Sequence, residues 1–179
     1  MELELLKYPI GHYIPNKKPD QQTLKHWILT LEEFPERLEQ LIQQLSEESL
    51  NWKYRPNGWC IKQVIHHCAD SHLNSIIRFK LALTEDKPSI RSYFEDRWAK
   101  LPDATNNNVD ASILLLKGLH NKWCVLLKSV NKTQLQLEYF HPEHNQYFNI
   151  AETIGMYAWH CNHHFAHIKI GIASNGKYN

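Results

Sequence analysis

The chain of 179 residues suits a single domain, and a hydrophobic content of 42% is enough for a sizeable core. Its 20 basic and 19 acidic residues give a net charge of +1 without a basic stripe, which argues against nucleic acid or a membrane surface as a partner. Short apolar stretches, an acidic amino terminus and scattered cysteines predict a cytoplasmic protein with no membrane span and no signal peptide.

The first half of the chain predicts an arm followed by two long helices. Residues 1–19 are rich in proline and should run as an extended arm over the surface. Over residues 20–45 apolar side chains recur at intervals of three and four, which predicts a helix that Pro35 kinks or locally breaks. A loop at 54–58 precedes a second helix, expected from about residue 60 to 83.

The second half predicts two further helices separated by irregular segments. The polar segment 84–109 is long for a connection, which suggests a crossover along a bundle or a loop over a site. A third helix over 110–127 begins at an aspartate N-cap, and a small hairpin or irregular excursion follows at 135–150. With a last helix over 150–172, the pattern predicts an all-α four-helix bundle forming one domain over residues 1–179.

Histidine is abundant, at 12 residues, and four histidines lie within eight residues of the last predicted helix. His160 and His164 are one turn apart, so their imidazoles stand roughly 6 Å apart along the axis and can reach one divalent ion. His164 falls at the edge of the apolar arc and His160 just beyond it, whereas His163 points well away and His167 is intermediate. The first pair is therefore the better candidate for metal binding.

The second predicted helix offers a third histidine. His67 lies at the border of its apolar arc, His66 falls on the wet side, and His72 is expected to be a hydrogen-bonded core histidine. A polar ridge that resembles a pocket wall continues from His67 through Ser71, Asn74 and Arg78. His67, His160 and His164 would form an open three-nitrogen site of the catalytic zinc type. Histidine pairs at this spacing are nevertheless often structural, so both alternatives stand on these residues alone.

Three segments carry a resemblance to a known family, namely Arg55–Trp59, Val64–His72 and Tyr157–Ile168. They resemble the DinB/YfiT-like superfamily, and the closest match is its YfiT branch of metal-dependent hydrolases. The resemblance also takes in Tyr8–Gly11, Asn74–Asp86 and His141–Glu143, so it covers nearly the whole chain. It implies a four-helix bundle with one divalent metal ion, zinc or nickel, on His67, His160 and His164. It also implies a cytoplasmic protein and a homodimer.

Two departures from the family pattern stand out. Cys60 occupies a position where the family usually has serine or threonine, which should cost about 1 kcal/mol of helix capping without affecting the metal. His144 and Asn145 stand where the family tends toward a glycine turn, so the role of His141 stays open.

Three functions are compatible with these features. The first is hydrolysis of a small-molecule substrate by a metal ion that activates water. No glutamate lies between His160 and His164, which argues against a zincin-like peptidase. The second is transfer of a low-molecular-weight thiol such as bacillithiol, activated on the metal without a protein base. The third is metal binding without turnover.

Two polar residues are further candidates for the catalytic site. Arg78 and Asn74 could hold a carboxylate or a sugar of the substrate from their position on the ridge. Cys161, between the two metal candidates, lies inside the apolar arc and is expected to be a buried packing thiol.

Overall fold

A computed structural model describes residues 2–179 of the chain. Its helices, in chain order, are α1 (Glu2–Lys7), α2 (Gln21–Ile42), α3 (Glu47–Leu50), α4 (Ile61–Thr84), α5 (Glu95–Trp98), α6 (Asp110–Ser129) and α7 (Ile150–Ser174). A 3-10 turn at Gln134–Gln136 precedes two strands, β1 (Glu138–His141) and β2 (Gln146–Asn149). Within residues 2–179, every helix is too short or too polar to span a lipid bilayer.

The four long helices form the predicted bundle. α2 packs against α6 and α7, and α4 packs against the same two helices from the other side. Large side chains that are buried almost completely fill the space between them, among them Phe34, Phe79, Trp123 and Ile154. The all-α four-helix bundle expected from the periodicity is therefore confirmed.

Helix α2 contains a proline in its interior. Asp20 caps the amino terminus by accepting a hydrogen bond from the Thr23 N–H at 2.7 Å. The helix then continues through Pro35, so the chain does not break there. Pro35 has no N–H, and the Leu31 carbonyl one turn earlier therefore lacks its helical donor.

The segment between α4 and α6 covers one end of α4. The Gln63 amide donates to the Ala99 carbonyl at 2.7 Å. The His66 ring contacts the Ser112 hydroxyl at 2.8 Å and the Asn106 carbonyl at 3.1 Å. The expectation that His66 lies on the wet side is thus wrong, because this connection buries it to 7% exposure.

The predicted hairpin follows α6. β1 and β2 are antiparallel, with Tyr139 opposite Phe148, and Asn145 takes a left-handed conformation (φ 49°) in the turn. β1 packs on α4 and β2 on α7, so the hairpin closes one end of the groove between those helices. The connection between α4 and α6, residues 85–109, is called the crossover below. It also touches the hairpin, because the Ile90 N–H donates to the Phe140 carbonyl.

The amino-terminal segment differs from the extended arm predicted for residues 1–19. Residues 2–7 form helix α1, and Met1 lies outside the described residues. The rest of the segment lies over α7, where the Tyr13 hydroxyl donates to the Glu152 carbonyl at 2.7 Å and the Trp159 indole donates to the Gly11 carbonyl. This cover buries the face of α7 that points away from the bundle core, including His163 at 7% exposure.

Candidate metal centre

The structure brings His67 of α4 together with His160 and His164 of α7. One ring nitrogen of each histidine lies within 4.8 Å of the others. The ring centroids of His160 and His164 are 4.3 Å apart, and that of His67 is 5.4 and 4.8 Å from them. The turn-to-turn spacing on α7 and the packing of α4 against it therefore create one cluster from two distant segments.

The separation of the ring nitrogens suits a metal ion. His67 Nε2 and His160 Nε2 are 3.3 Å apart. Two nitrogens that each lie about 2.0–2.1 Å from a tetrahedral ion are separated by about 3.3 Å. The cluster includes no carboxylate or thiol among the residues that the structure describes, so three protein ligands would leave a coordination position for water or substrate.

All three imidazoles are in the protonation state that binds metal. Burial lowers the pKa of His67 to about 4, and it lowers the pKa of His160 and His164 well below the usual value. Neighbouring histidines add a smaller effect in the same direction. A neutral ring carries one nitrogen lone pair, as a metal ligand requires.

A chain of hydrogen bonds runs from His160 into the core. His160 Nδ1 is 3.0 Å from His72 Nε2, and His72 Nδ1 is 2.7 Å from His120 Nε2. His120 Nδ1 lies 2.6 Å from the Leu31 carbonyl oxygen, the one that lacks a helical donor. We call His120, His72 and His160 the histidine chain.

The carbonyl at its end fixes the protons of the histidine chain. A carbonyl only accepts, so His120 must donate from Nδ1 and can accept at Nε2. His72 then donates from Nδ1 and accepts at Nε2, which requires His160 to donate from Nδ1. His160 is left with its lone pair on Nε2, the atom that faces His67.

His164 is held in a similar way from the other side. His167 Nε2 donates to the carbonyl of Lys7, the last residue of α1, at 3.0 Å. The lone pair of His167 Nδ1 then faces His164 Nδ1 at 3.4 Å. With its proton on Nδ1, His164 also presents the Nε2 lone pair to the cluster.

A second group of histidines could hold a metal ion and shares one member with the first. His163, His164 and His167 also have ring nitrogens within 4.8 Å of one another. Two features disfavour this group. Nδ1 of His164 carries the proton that faces His167, and the three residues all come from one helix. The two-helix cluster therefore fits a metal ion better.

A cavity of about 760 Å³ opens beside the two-helix cluster. That volume admits a small organic molecule. Its walls come from α4 and the loop before it, α7, the hairpin, the crossover and the amino-terminal segment. They include Trp59, Ser71, Arg78, Tyr93, His141 and Tyr157.

The two other predicted site residues lie in different surroundings. Arg78 is 8% exposed and lines the cavity. Asn74 instead donates its side-chain amide to the Asp70 carbonyl one turn earlier, at 2.9 Å, and is not among the residues that line the cavity. The ridge expected along α4 thus brings Ser71 and Arg78 to the cavity with His67, and it leaves Asn74 beside them.

The cysteine between the metal candidates is unsuited to chemistry. Cys161 is fully buried, and burial raises the pKa of its thiol well above the usual value, with the Cys68 thiol adding to the effect. It therefore remains a protonated packing group, as its place in the apolar arc predicted.

Sequence reasoning missed the role of His120 and the contribution of α1. His72 was expected to be a hydrogen-bonded core histidine, and it is, at 0% exposure. His120 lies on α6 among apolar positions, and one sequence signal for it is a histidine inside an apolar arc. The proline in α2 that frees the Leu31 carbonyl is a second signal. The spacing of residues in the sequence does not predict that His120 is the donor to this carbonyl.

Comparison with known proteins gives a consistent result. The family model described as the DinB superfamily matches residues 30–168. Over 163 residues the chain is 40% identical to "Putative metal-dependent hydrolase YfiT" of Bacillus subtilis (strain 168), covering 91% of this chain and 92% of that protein. It is 43% identical over 163 residues to "Putative metal-dependent hydrolase" of Bacillus cereus (strain 03BB102), covering 91% and 93%.

The fold agrees with a solved structure as well. The structure of YfiT from Bacillus subtilis, described as having an unusual four-helix bundle topology, superposes with a TM-score of 0.90 at 40% sequence identity. The match covers 92% of this chain and 94% of that one. On the family model, the sequence identity and the shared architecture, this chain belongs to the DinB superfamily.

Proposed function

We propose that the protein is a metal-dependent hydrolase that holds one zinc or nickel ion on His67, His160 and His164 and acts on a small-molecule substrate. The observation that carries the proposal is the open cluster of three neutral imidazoles, with two Nε2 atoms 3.3 Å apart, at the wall of a cavity. The names of the relatives support the same class of activity.

The residues around the cluster orient its histidines for binding a catalytic metal ion. A divalent ion held there would lower the pKa of a bound water toward neutrality and polarise a substrate carbonyl. The histidine chain and His167 keep the ligand lone pairs directed at the cluster, so little reorganisation is needed when the ion binds. Trp59, whose ring centroid is 4.7 Å from that of His67, shields one side of the cluster.

Metal content and ester hydrolysis test this proposal. Protein purified without chelator should contain about one zinc or nickel ion per chain by mass spectrometry, and the loaded protein should hydrolyse 4-nitrophenyl esters. His164→Ala should lose both properties, whereas His26→Ala, which changes an exposed histidine of α2, should keep them. A protein that neither retains nor rebinds an ion would overturn the proposal. One that binds the ion without turnover, with or without a thiol, would be a non-catalytic metal-binding protein.

Thiol transfer is the second candidate, and the neutral surroundings of the cluster favour it. The aromatic rings that contact the three histidines belong to Trp59, His72, Tyr157, His163 and His167. The carboxylates of the cavity wall, Glu95, Asp96 and Glu143, form no hydrogen bond or ion pair with the cluster in residues 2–179. A thiol needs no such base once a metal has lowered its pKa.

A titration separates the two reactions. Cobalt-substituted protein should show a change in its visible spectrum on addition of cysteine if a thiol binds the metal, and consumption of 1-chloro-2,4-dinitrobenzene should then depend on that thiol. Ester turnover without any thiol would favour hydrolysis instead.

The proposal extends to assembly and location. We propose a cytoplasmic homodimer, as the family resemblance implies, with no nucleic acid or membrane partner. Sedimentation equilibrium of the purified protein tests the dimer, and a monomer at micromolar concentration would contradict it.

A further inference from the structure

Arg78 is a buried cation without a partner in the part of the chain that the structure describes. Its side chain is 8% exposed, lines the cavity and forms no hydrogen bond or ion pair with any of residues 3–179. Its Nε atom is completely buried and has no hydrogen-bond partner within the same range of residues. Since a guanidinium keeps its proton at any ordinary pH, this position carries a permanent positive charge.

Within residues 3–179, the surroundings of Arg78 contain hydrogen-bond donors and no counter-ion. Arg78 lies close enough to His141, His160 and Tyr93 for its charge to lower the pKa of each group. None of the three is an anion at neutral pH. His141 is also buried, and its Nδ1 atom has no hydrogen-bond partner among the described residues. The carboxylates that line the cavity, Glu95, Asp96 and Glu143, are not within ion-pair distance of Arg78 among the described residues. A buried charge without an opposite charge is costly, so an anion from outside the chain would stabilise it.

We propose that Arg78 and His141 form a carboxylate subsite in the cavity, and that the substrate is a small molecule with a free carboxylate. The inference rests on the proposed function, whose substrate class it names. A guanidinium binds the two oxygens of a carboxylate through a pair of parallel hydrogen bonds. The neutral His141 ring can supply a further N–H from Nδ1.

The charge of the subsite favours one negative charge over two. Among residues 3–179, Arg78 is the one cation at this subsite. Burial together with the nearby guanidinium lowers the pKa of His141 to about 4, so the ring stays neutral. A carboxylate therefore balances the subsite, whereas a phosphate dianion would leave a negative charge uncompensated in a buried place.

The subsite and the metal cluster lie on the same face of α4 but not at the same point. Arg78 follows His67 by eleven residues, which corresponds to about 16 Å along the helix axis between their Cα atoms. The arginine side chain leans back toward the amino terminus and covers part of that distance. The substrate carboxylate is therefore separated by several bonds from the bond that is broken.

Binding can be measured without turnover. In 15N-labelled, zinc-loaded protein, benzoate should shift the Arg78 Nε–H resonance with saturation, and benzamide should not. Arg78→Met should weaken benzoate binding at least tenfold and Arg78→Lys by less, while Arg37→Lys, which changes a part-buried arginine of α2 outside the cavity, should leave it unchanged. A variant is compared only if its zinc content and its circular dichroism spectrum match those of the unmodified protein.

The same titration on metal-free protein separates the subsite from direct binding to the ion. A shift that persists without zinc supports the subsite. Benzoate binding that is unaffected in both Arg78 variants would overturn it, as would an Arg78 resonance that phenyl phosphate shifts at lower concentration than benzoate.

A matched pair of esters relates the subsite to catalysis. The 4-nitrophenyl ester of glutaric acid should be hydrolysed with at least tenfold higher kcat/KM than its methyl-capped counterpart, and Arg78→Met should abolish the preference. Equal rates for both esters in the unmodified protein would overturn the substrate class. If neither ester reacts, the proposed hydrolysis fails, and the benzoate titration still decides on the subsite.

Discussion

Pro35 follows the Leu31 carbonyl by one turn of α2 and leaves that oxygen without its helical hydrogen bond. The oxygen accepts instead from His120 Nδ1 of α6, at 2.6 Å. This contact sets the proton positions of His120, His72 and His160, because each ring must donate toward the carbonyl end. A proline in the middle of one helix thereby determines which nitrogen of a residue on another helix can bind a metal ion.

Replacing Pro35 by alanine should stabilise the fold and weaken metal binding. A proline in a helix interior is less favourable than alanine by up to about 3 kcal/mol, so the free energy of unfolding should rise by some part of that amount. The new N–H would compete with His120 for the Leu31 carbonyl, and we expect zinc affinity to fall by up to about tenfold. Urea unfolding of metal-free protein and chelator competition measure the two effects. Unchanged zinc affinity would show that the carbonyl serves both donors.

The proton order of the histidine chain can be observed directly. Two-bond 1H–15N spectra of the metal-free protein should show His120 and His72 with the proton on Nδ1, as the Leu31 carbonyl requires. His120→Ala should then lower zinc affinity by about 10–100-fold, whereas His26→Ala should leave it unaltered. A proton on Nε2 of His120 would contradict the direction of the chain.

Single substitutions distinguish the two overlapping histidine groups. His67→Ala should abolish stoichiometric zinc binding, because it removes the one ligand that α4 contributes. His163→Ala should keep it, because His163 belongs only to the group on α7. Isothermal titration with zinc decides the matter, and the reverse pattern would place the ion on His163, His164 and His167.

Acid should destabilise the metal-free protein in a defined range. Burial lowers the pKa of His120 to about 4, against about 6.5 in an unfolded chain. The unfolded state therefore binds the extra proton first, so this contribution to stability is present above pH 6.5 and is lost as the pH falls toward 4. The loss from this residue amounts to about 3 kcal/mol at most. Urea midpoints between pH 7 and 4 should fall less steeply in His120→Phe, and an identical slope would contradict the prediction.

The regular periodicity of apolar residues made the bundle predictable. The contacts made by irregular segments could not be predicted in this way. The apolar positions of α2, α4, α6 and α7 repeat with the helical period, so their inward faces follow from the sequence alone. His66 and His163 were placed away from the core for the same reason, yet both are buried. The crossover covers His66, and the amino-terminal segment covers His163. No repeat in the sequence predicts where these two segments pack.

The candidate site, like the fold, could be predicted only in part. Spacing and phase indicated His67, His160 and His164, because these residues sit at arc borders where two helices meet. Arg78 followed from the same ridge on α4. His120 could not be assigned, because its partner is a backbone oxygen freed by Pro35 and lies on another helix. Backbone partners of this kind leave no pattern in the order of side chains.

Both histidine supports end on main-chain oxygens, those of Leu31 and Lys7. Substituting either residue changes a side chain and leaves the accepting atom in place. These two positions can therefore vary in evolution as far as packing allows, without loss of the hydrogen bonds that align the metal ligands. A search for functional residues by invariance would pass over them. The free carbonyl that each position supplies depends instead on Pro35 in one case and on the end of the first helix in the other.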